Sequence, residues 1–437
     1  MTRAPAVRLI ALGGILLLAL TFCSRNFGDR GGPAFMMWLS VAGLSYLFAI
    51  HELFSTPGFS KRIVIFALAL SAVWHVLFLL KPPGVDDDIH RYVWDGRVQR
   101  LGYNPYTLIP NDPRAAGLHT SETRTLNHAG LPSPYPPGAL LFFRAVTSIH
   151  ESVFALKVAF VLCQLAIVLV LLDFLRRTGK AEHWVLAFAW NPLLAIEVAG
   201  SGHVDIFGAL LLLISAAALS RNWRAVAAIT LALAIAVKFL PLVLVPLYWR
   251  RVRVRDTLFA VLIFFLLYLP FLETGRIALG SLNTYVQSFR FNGPIFRVVE
   301  GVTSPQIAAA VAMLVGLLVA LLLRRRSTVS LPATFAWPMA ASLLFAPVMY
   351  PWYLLWLLPF LQSVSTLPVA VWTVSIIPAY YVWHLRALGR PWLLPGWIML
   401  LEYGAFAAAG IVIALRSVTR AQVTHDDAAP DPVKQIR

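Results

Sequence analysis

The sequence predicts an all-α fold, a polytopic bundle of transmembrane helices forming a single domain over residues 1–415. Of its 437 residues, 59% are hydrophobic and only 13% are charged. The mean hydropathy of +0.74 lies far above the range of soluble globular domains. Apolar runs long enough to cross a hydrocarbon core of about 30 Å follow one another along the chain. They predict about 12 to 14 membrane spans.

The basic residues orient this bundle. The formal net charge is +16, and basic residues gather at the ends of apolar runs, at 61–62, 176–177, 250–255 and 324–326. This positive-inside pattern predicts a cell-membrane protein with both termini in the cytoplasm. Nucleic-acid binding is not expected, because no basic face, zinc-ligand spacing or aromatic RNA-binding motif accompanies the charge. The two cysteines lie in predicted spans and indicate neither a disulfide framework nor a metal site.

The first half of the chain is predicted to contain four spans and one long polar segment. Spans near 8–23, 34–53 and 62–81 carry the chain out, in and out again, so segment 82–151 faces outward. A loop of this length is usually functional, and its prolines and glycines predict fixed turns broken by short helices. Within it, residues 138–149 are apolar but too short to cross, which favours an interfacial or re-entrant helix before a span at 152–175.

The next hundred residues are predicted to contain broken helices. Short helices near 184–199 and 204–220 meet on the outer side, since interrupted backbone is tolerated within a membrane where it lines a cavity. Residues 224–249 favour a short hairpin with an outward tip, and one straight span is the alternative.

The remainder is predicted to alternate spans with one more outer loop. Spans near 256–272 and 305–323 flank the outer loop 273–304. The tail 416–437 has no apolar period and is predicted to be a disordered cytoplasmic segment. Four further spans precede it, near 332–347, 350–362, 367–384 and 392–415.

The most informative feature is an acidic run directly after the third predicted span. It consists of Asp86, Asp87 and Asp88. Adjacent like charges repel, and partial burial disfavours the charged form of a carboxyl group, so this run is suited to a tuned proton acceptor. Capping of a helix N-terminus, which the helix dipole favours, is the alternative role.

Residues 88–97 place further polar groups beside that run if they are helical. Asp88, Arg91, Tyr92 and Asp95 then fall at i, i+3, i+4 and i+7, on one helix face. A rigid helix start beside the membrane can hold a base within hydrogen-bond distance of a lipid-linked substrate. For Asp95, the sequence supports capping as well as a direct role.

The order of several motifs resembles the glycosyltransferase C superfamily, most closely the bacterial polyprenyl-phosphomannose-dependent mannosyltransferases. Each motif is weak alone, and their order over residues 84–360 is specific. After the acidic run, the motifs are Tyr-Val-Trp-Asp-Gly-Arg at 92–97, Gly-Tyr-Asn-Pro-Tyr at 102–106, Tyr-Pro-Pro-Gly at 135–138, Trp-Asn-Pro at 190–192, Gly-His-Val-Asp at 202–205, Lys238 before Pro241, and Tyr-Pro-Trp-Tyr at 350–353.

This resemblance implies an inverting enzyme that moves a hexose, expected to be mannose, from a polyprenyl-phosphate donor to a glycan or glycolipid acceptor outside the cytoplasm. Asp88 is the expected general base, which deprotonates the attacking hydroxyl. Asp87 and Asp86 are expected to stabilise the oxocarbenium character of the transition state. The acidic run departs from the family's Asp-x-Asp-Tyr pattern, so the sequence leaves open which aspartate is the base.

A phosphate leaving group requires cations or polar partners near the outer surface. Lys238 is the most informative candidate, because a lysine in an apolar segment is costly unless it is paired or faces a wet cavity. A structural pairing with Asp205 or Glu197 is equally compatible with the sequence. The expected donor-phosphate residues are His203, Asp205, Lys238, Arg290 and Arg91.

Aromatic residues gather at the predicted outer ends, where a ring can stack on the apolar face of a sugar. The interfacial aromatic belt of any membrane protein is the alternative explanation. The expected sugar or acceptor contacts are Tyr92, Tyr106, Tyr135, Tyr350 and Trp352. No resident cofactor or metal site is expected, although the aspartates have the oxygen ligands that Mg²⁺ or Mn²⁺ prefers.

Two other function classes fit part of the sequence. A secondary transporter or flippase of a lipid-linked sugar would account for the broken helices and the intramembrane charges, but no internal repeat is evident. A phosphotransferase shares the lipid-phosphate substrate, but usually carries a nucleophilic serine or threonine in a sizeable soluble domain, and the sequence predicts no such domain.

Overall fold

The computed structural model describes residues 3–84, 87–273, 279–325 and 330–426. Within these ranges the predicted all-α architecture is confirmed, with helices and turns and no β-strand. The α-helices are α1 Arg3–Arg25, α2 Pro33–Ser55, α3 Lys61–Leu79, α4 Ile89–Arg100, α5 Pro137–Ile149, α6 Val153–Arg177, α7 Leu186–Ala189, α8 Asp205–Ser220, α9 Arg224–Val237, α10 Val254–Leu266, α11 Leu282–Ser288, α12 Pro294–Glu300, α13 Pro305–Arg324, α14 Leu331–Leu344, α15 Leu367–Ser375, α16 Tyr381–Ala387 and α17 Gly396–Asp426.

Eight stretches of the described chain are long and apolar enough to cross a membrane, so this is a multi-pass membrane protein. A ninth span results if two helices joined at a bend of 112°, Leu194–Gly200 and α8, are taken together. This count is lower than the predicted 12 to 14, because several apolar segments form helices too short to cross. The eight are Ala4–Arg25, Pro33–Ser55, Lys61–Leu79, Val153–Arg177, Val254–Phe271, Pro305–Arg324, Val364–Ala387 and Gly396–Arg416.

Prolines interrupt two apolar segments: 224–249, where the sequence favoured a short hairpin over one straight span, and 350–362, where it predicted a span. Helix α9 ends at Val237, Lys238 is extended, and a 3₁₀-helix with an internal proline follows over Leu240–Tyr248, so 224–249 is not one straight span. The span predicted at 350–362 is wrong. Short 3₁₀-helices occupy Pro351–Trp356 and Leu358–Phe360 instead, because proline has no N–H to continue an α-helical ladder.

The polar segment 82–151 contains the short helices that its turn-rich sequence predicts. Helix α4 follows the acidic run, a 3₁₀-helix spans Pro113–Leu118, and α5 is the short apolar helix expected at 138–149. The loop predicted at 273–304 holds α11 and α12, and its residues 274–278 lie outside the described chain. At the C-terminus, α17 remains helical as far as Asp426, beyond the predicted start of the disordered tail.

A buried lysine and two glycines position the elements that carry the polar cluster described below. The Nζ atom of Lys157, near the start of α6, donates to the carbonyls of Phe78, Leu79 and Lys81 at 2.6–3.1 Å and so holds the end of α3. Gly202 has φ +76° at the bend before α8, a conformation that disfavours other residues. A Cβ on Gly208 would lie 2.0 Å from Trp356, so only glycine lets that indole approach α8.

Candidate active site

The ends of five segments bring their polar side chains together in one buried cluster. They are the turn between α1 and α2, the residues before α4, the bend before α8, the break after α9, and the 3₁₀-helix at Pro351–Trp356. Each segment lies at or next to a helix terminus, where the backbone leaves the regular helical hydrogen-bond pattern. Side chains from different segments can therefore approach one another there. We call this set the polar cluster; its charged members are Arg30, Asp87, Asp88, Glu197, His203, Asp205 and Lys238.

Asp87 is locked in a buried ion pair. Its Oδ1 accepts from Arg30 Nη2 at 2.7 Å, and its Oδ2 accepts from the backbone N–H of Gly84 at 2.6 Å. Arg30 also donates from Nη1 to Ser201 Oγ at 2.7 Å. Because both side chains are buried and both carboxylate oxygens are occupied, Asp87 is better suited to shape the site than to accept a proton.

Asp88 is the more accessible of the two described aspartates of the acidic run. Its side chain is 26% exposed. It sits at the N-cap position of α4, but makes no capping hydrogen bond with its side chain. Instead, Oδ1 accepts from Asn127 Nδ2 at 2.9 Å, and Oδ2 lies 4.0 Å from His203 Nδ1. The geometry thus favours a free base over a helix cap. Asp86, the third predicted acidic residue, lies outside the described chain.

His203 lies between two carboxyl groups and against an aromatic ring. Its Nε2 is 3.0 Å from Glu197 Oε2, while its Nδ1 faces Asp88. The imidazole stacks on Trp352 at 4.1 Å between centroids and 8° between planes. Trp352 stacks in turn on Tyr350 at 4.3 Å. This places three predicted site residues, His203, Trp352 and Tyr350, in one stack beside Asp88.

Lys238 forms the structural pairing with Asp205 and still reaches solvent. Its Nζ donates to Asp205 Oδ1 at 2.7 Å, and Trp356 Nε1 donates to the same oxygen at 2.7 Å. The ammonium lies 4.3 Å from the centroid of the Tyr353 ring. The lysine side chain is 26% exposed, whereas Asp205 is buried. An ammonium has three N–H donors, so Lys238 retains capacity for a phosphate oxygen.

Arg91 faces away from the acidic run. Its Nε donates to Asp95 Oδ1 at 2.9 Å and its Nη1 to the carbonyl of Leu131 at 3.0 Å. Asp95 also accepts from Ser133 Oγ at 2.7 Å. Burial raises the pKa of Asp95, although Arg91 and Ser133 oppose that change. The predicted helix face therefore anchors α4 to the 131–133 segment through Arg91 and Asp95, while Asp88 lies in the polar cluster.

Arg290 is held within the second loop. It pairs with Glu300 and donates from Nη1 to the carbonyls of Val286 at 3.0 Å and Phe289 at 2.7 Å. Glu300 and these carbonyls engage the guanidinium, and no contact among the described residues joins it to Asp88 or Lys238. The structure thus shows no convergence of Arg290 with the other predicted phosphate-binding residues.

Three of the predicted sugar-contacting tyrosines are buried in the packing between α4 and α5. Tyr92 stacks on Phe143 at 4.3 Å, and Tyr106 donates its hydroxyl to the carbonyl of Tyr135 at 2.7 Å. Burial raises the pKa of Tyr92, Tyr106 and Tyr135 above the usual tyrosine value. Their rings offer little open face to a sugar. Tyr350 is half-buried, and its ring is stacked between Trp352 and Phe291.

Several members of the cluster were not predicted. Arg30 neutralises Asp87, and the hydroxyl of Tyr380 donates to Glu197. An arginine in a turn on the predicted outer side runs against the positive-inside pattern, and that exception was a usable signal for Arg30. Glu197 lies in a π-helix over Leu194–Gly200, a local geometry that is frequent at functional sites but has no simple sequence pattern.

Metal binding has no support from side-chain geometry within the described ranges. There, no group of three or more His, Cys, Asp or Glu side chains converges as ligands for an ion. The carboxylate best placed for one, Asp87, has both oxygens occupied by Arg30 and the Gly84 amide.

The comparison with known families covers most of the polar cluster. A family model described as "alpha-(1→6)-mannopyranosyltransferase, N-terminal domain" matches residues 32–252, about half of the chain. The matched stretch includes Asp87, Asp88, His203, Asp205 and Lys238. No curated protein and no solved structure matches the sequence.

Proposed function

Because the chain belongs to the alpha-(1→6)-mannopyranosyltransferase family and is a membrane mannosyltransferase, we propose that it takes mannose from a polyprenyl-phosphate-mannose donor. The acceptor is a glycan or glycolipid hydroxyl on the extracytoplasmic side of the cell membrane. The observation that carries this proposal is the partly exposed Asp88 carboxylate in the same cluster as the partly exposed Lys238 ammonium. One supplies a base and the other a cation for a phosphate.

In the proposed reaction, Asp88 accepts the proton of the acceptor hydroxyl as its oxygen bonds to the anomeric carbon. The bond from that carbon to the phosphate oxygen breaks, and the polyprenyl phosphate leaves with the electron pair. Such a displacement inverts the anomeric centre, so an α-linked product requires a β-linked donor. Lys238 stabilises the charge that develops on the leaving phosphate, and no metal takes part.

The predicted orientation is supported by how α3 and α6 pack. Lys157 fixes the C-terminal end of α3 beside the start of α6, so the two helices run in opposite directions. The basic pair at 61–62 begins α3 and the pair at 176–177 ends α6, which puts both at one end of the bundle. Asp87 and Asp88 follow α3 at the opposite end. The positive-inside rule then makes the acidic end extracytoplasmic, with the N-terminus of α1 in the cytoplasm.

The test is transfer by the purified protein in lipid vesicles, supplied with radiolabelled polyprenyl-phosphate-mannose and mannan oligosaccharide or glycolipid acceptors. We expect a labelled product whose new linkage is α by NMR, and no product from the Asp88→Asn variant at equal protein. Donors carrying glucose or arabinose test the choice of sugar. If no acceptor is labelled but the lipid-linked sugar crosses the vesicle membrane, the proposal is wrong and the protein is a flippase.

A further inference from the structure

Glu197 is a fully buried carboxyl group in the polar cluster, and it does not reach the reacting atoms itself. We propose that Glu197 is a positioning residue for mannosyl transfer: it holds His203 as an imidazolium beside Asp88, which keeps Asp88 in the carboxylate form that accepts a proton. This inference rests on the proposed role of Asp88 as the base. It changes the predicted role of His203 from a phosphate ligand to a charge placed next to that base.

The positions of the two ring nitrogens are the first support. Nε2 lies 3.0 Å from Glu197 Oε2, and Nδ1 lies 4.0 Å from Asp88 Oδ2. A neutral imidazole has one N–H, whereas the imidazolium has one on each nitrogen and can face two carboxylates favourably. His203 is 2% exposed, and both of its ring nitrogens are buried.

Charge balance around Glu197 is the second support. Buried carboxylates need cations, since an unpaired charge in a low-dielectric interior is costly. Arg30 is the nearby permanent cation, and its Nη2 is engaged by Asp87 and its Nη1 by Ser201. Tyr380 donates a hydrogen bond to Glu197 but brings no charge. Arg30 also interacts electrostatically with Glu197, so Asp87 and Glu197 share one permanent cation, and protonated His203 supplies the second positive charge.

The aromatic stack is the third support, because it fixes the ring and favours its charged form. Trp352 lies parallel to the imidazole at 4.1 Å, and an indole face attracts a cation. The stack continues to Tyr350 and then to Phe291 at 4.5 Å, so Trp352 is itself held in place. Rotation of the histidine away from Asp88 would break this packing.

The other charged groups around the pair are already engaged. Lys238 donates to Asp205, two residues beyond His203 in the chain, and Arg30 pairs with Asp87. In the part of the chain that the structure describes, His203 is the cationic side chain within ion-pair distance of Asp88. The remaining contact of Asp88 is the neutral amide of Asn127.

The direction of the effect follows from this geometry. A nearby positive charge favours the charged form of a carboxyl group over the protonated form. Removing the charge of Glu197 leaves His203 neutral over more of the pH range, so Asp88 binds its proton at a higher pH. The acidic limb of the transfer profile then moves upward, while the rate at high pH recovers. A merely structural role for Glu197 would lower the rate at every pH.

The test compares wild type with Glu197→Gln and His203→Gln, and uses Glu402→Gln as a control. Glu402 is equally buried, but its partners are Trp372 and Asn292, neither of which contacts the polar cluster. Two readouts are taken from pH 4 to 9: mannosyl transfer, and labelling of Asp88 by a water-soluble carbodiimide, which attacks protonated carboxyl groups, measured by mass spectrometry. Both variants are expected to move both profiles upward by about 1 pH unit, and the control to leave them in place.

The two readouts separate failure of this inference from failure of the proposed function. If transfer is absent from wild type but the labelling profile moves in both variants, Glu197 and His203 control the charge of Asp88, but the transferase proposal fails and with it their role in mannosyl transfer. If transfer is present and neither profile moves, Glu197 and His203 do not control the charge of Asp88. Should Glu197→Gln not fold, His203→Gln alone decides the result, since it removes the same charge.

Discussion

Replacing the two described aspartates of the acidic run one at a time should separate catalysis from folding. Asp88→Asn removes the proposed base but keeps the shape of the side chain and a carbonyl oxygen that can still accept from Asn127. General-base catalysis contributes about 10²-fold to 10⁴-fold to a rate. That range corresponds to about 3 to 5 kcal/mol of transition-state stabilisation. We expect transfer by Asp88→Asn to fall by this factor.

Stability should show the opposite pattern: Asp87→Asn should be the less stable variant and Asp88→Asn the more stable one. Asp88 is partly exposed and has one hydrogen bond to a described side chain, so its loss costs at most about 1 kcal/mol. Asp87→Asn leaves Arg30 buried without its anion, and breaking a buried ion pair costs about 3 to 5 kcal/mol. Asp87→Asn should therefore lower the melting temperature clearly, whereas Asp88→Asn should leave it nearly unchanged.

The assay pairs radiolabelled mannosyl transfer with thermal unfolding of the same detergent-purified samples. The comparison is made at equal amounts of folded protein, so that loss of protein is not read as loss of catalysis. Asp88→Asn transferring within threefold of wild type would refute the assignment of the base. An Asp87→Asn variant with normal stability would refute the inference that its ion pair with Arg30 supports the fold.

Four further outcomes follow from the site. Lys238→Met should raise the donor KM by about 10-fold to 100-fold, which is the size of a lost charge-assisted hydrogen bond. Lys238→Arg should recover part of the lost donor affinity. Initial rates at varied donor concentration measure both effects. Arg290→Ala should leave the donor KM unchanged, because Glu300 and backbone carbonyls hold the Arg290 side chain. A tenfold rise in the donor KM would instead show that Arg290 binds the donor phosphate. Arg290 also lowers the pKa of Glu300. Their ion pair therefore stabilises the loop at pH values above the pKa of the unfolded carboxyl, and this stabilisation is lost as the pH falls through the lowered pKa of the folded state. Glu300→Gln should be more sensitive to protease than wild type at neutral pH, and this difference should shrink in acid. Chelation with EDTA should not reduce transfer, and restoration by added Mn²⁺ after a loss would show that a metal is required.

Composition and charge were sufficient to predict the class of the fold, because burial in lipid and positive-inside orientation act on whole segments. The number of spans was predicted less well. The sequence around Pro351 and Pro359 is as apolar as a span, but it forms 3₁₀-helices instead of an α-helix. Apolar composition shows that a segment can be buried in lipid or in the protein interior. It does not report whether the segment is long and regular enough to cross.

In the candidate site, the sequence predicted the residues next to helix breaks but not the contacts between residues far apart in the chain. Asp88, His203, Asp205 and Lys238 each stand next to a helix break that the sequence displays, and the structure brings them together. Another contact of the cluster joins residues that are remote in the chain. Arg30 reaches Asp87 across 57 positions, and no local pattern couples the two. Arg91 was predicted from a correct helix face, but its choice of Asp95 over the acidic run depended on packing against the 131–133 segment.

The polar cluster also extends beyond the stretch that identifies the family. The matched residues end at 252, yet the ring that stacks on His203 and the indole that donates to Asp205 come from Trp352 and Trp356. The second contact requires a glycine at 208, inside the matched stretch, because any Cβ there would collide with the indole. The N-terminal half thus supplies Asp88 and the cationic side chains of the polar cluster, and its Gly208 leaves the space that Trp356 from the C-terminal half occupies. A site divided in this way cannot be complete in the N-terminal half alone, since His203 and Asp205 would each lose the neighbour that fixes its orientation.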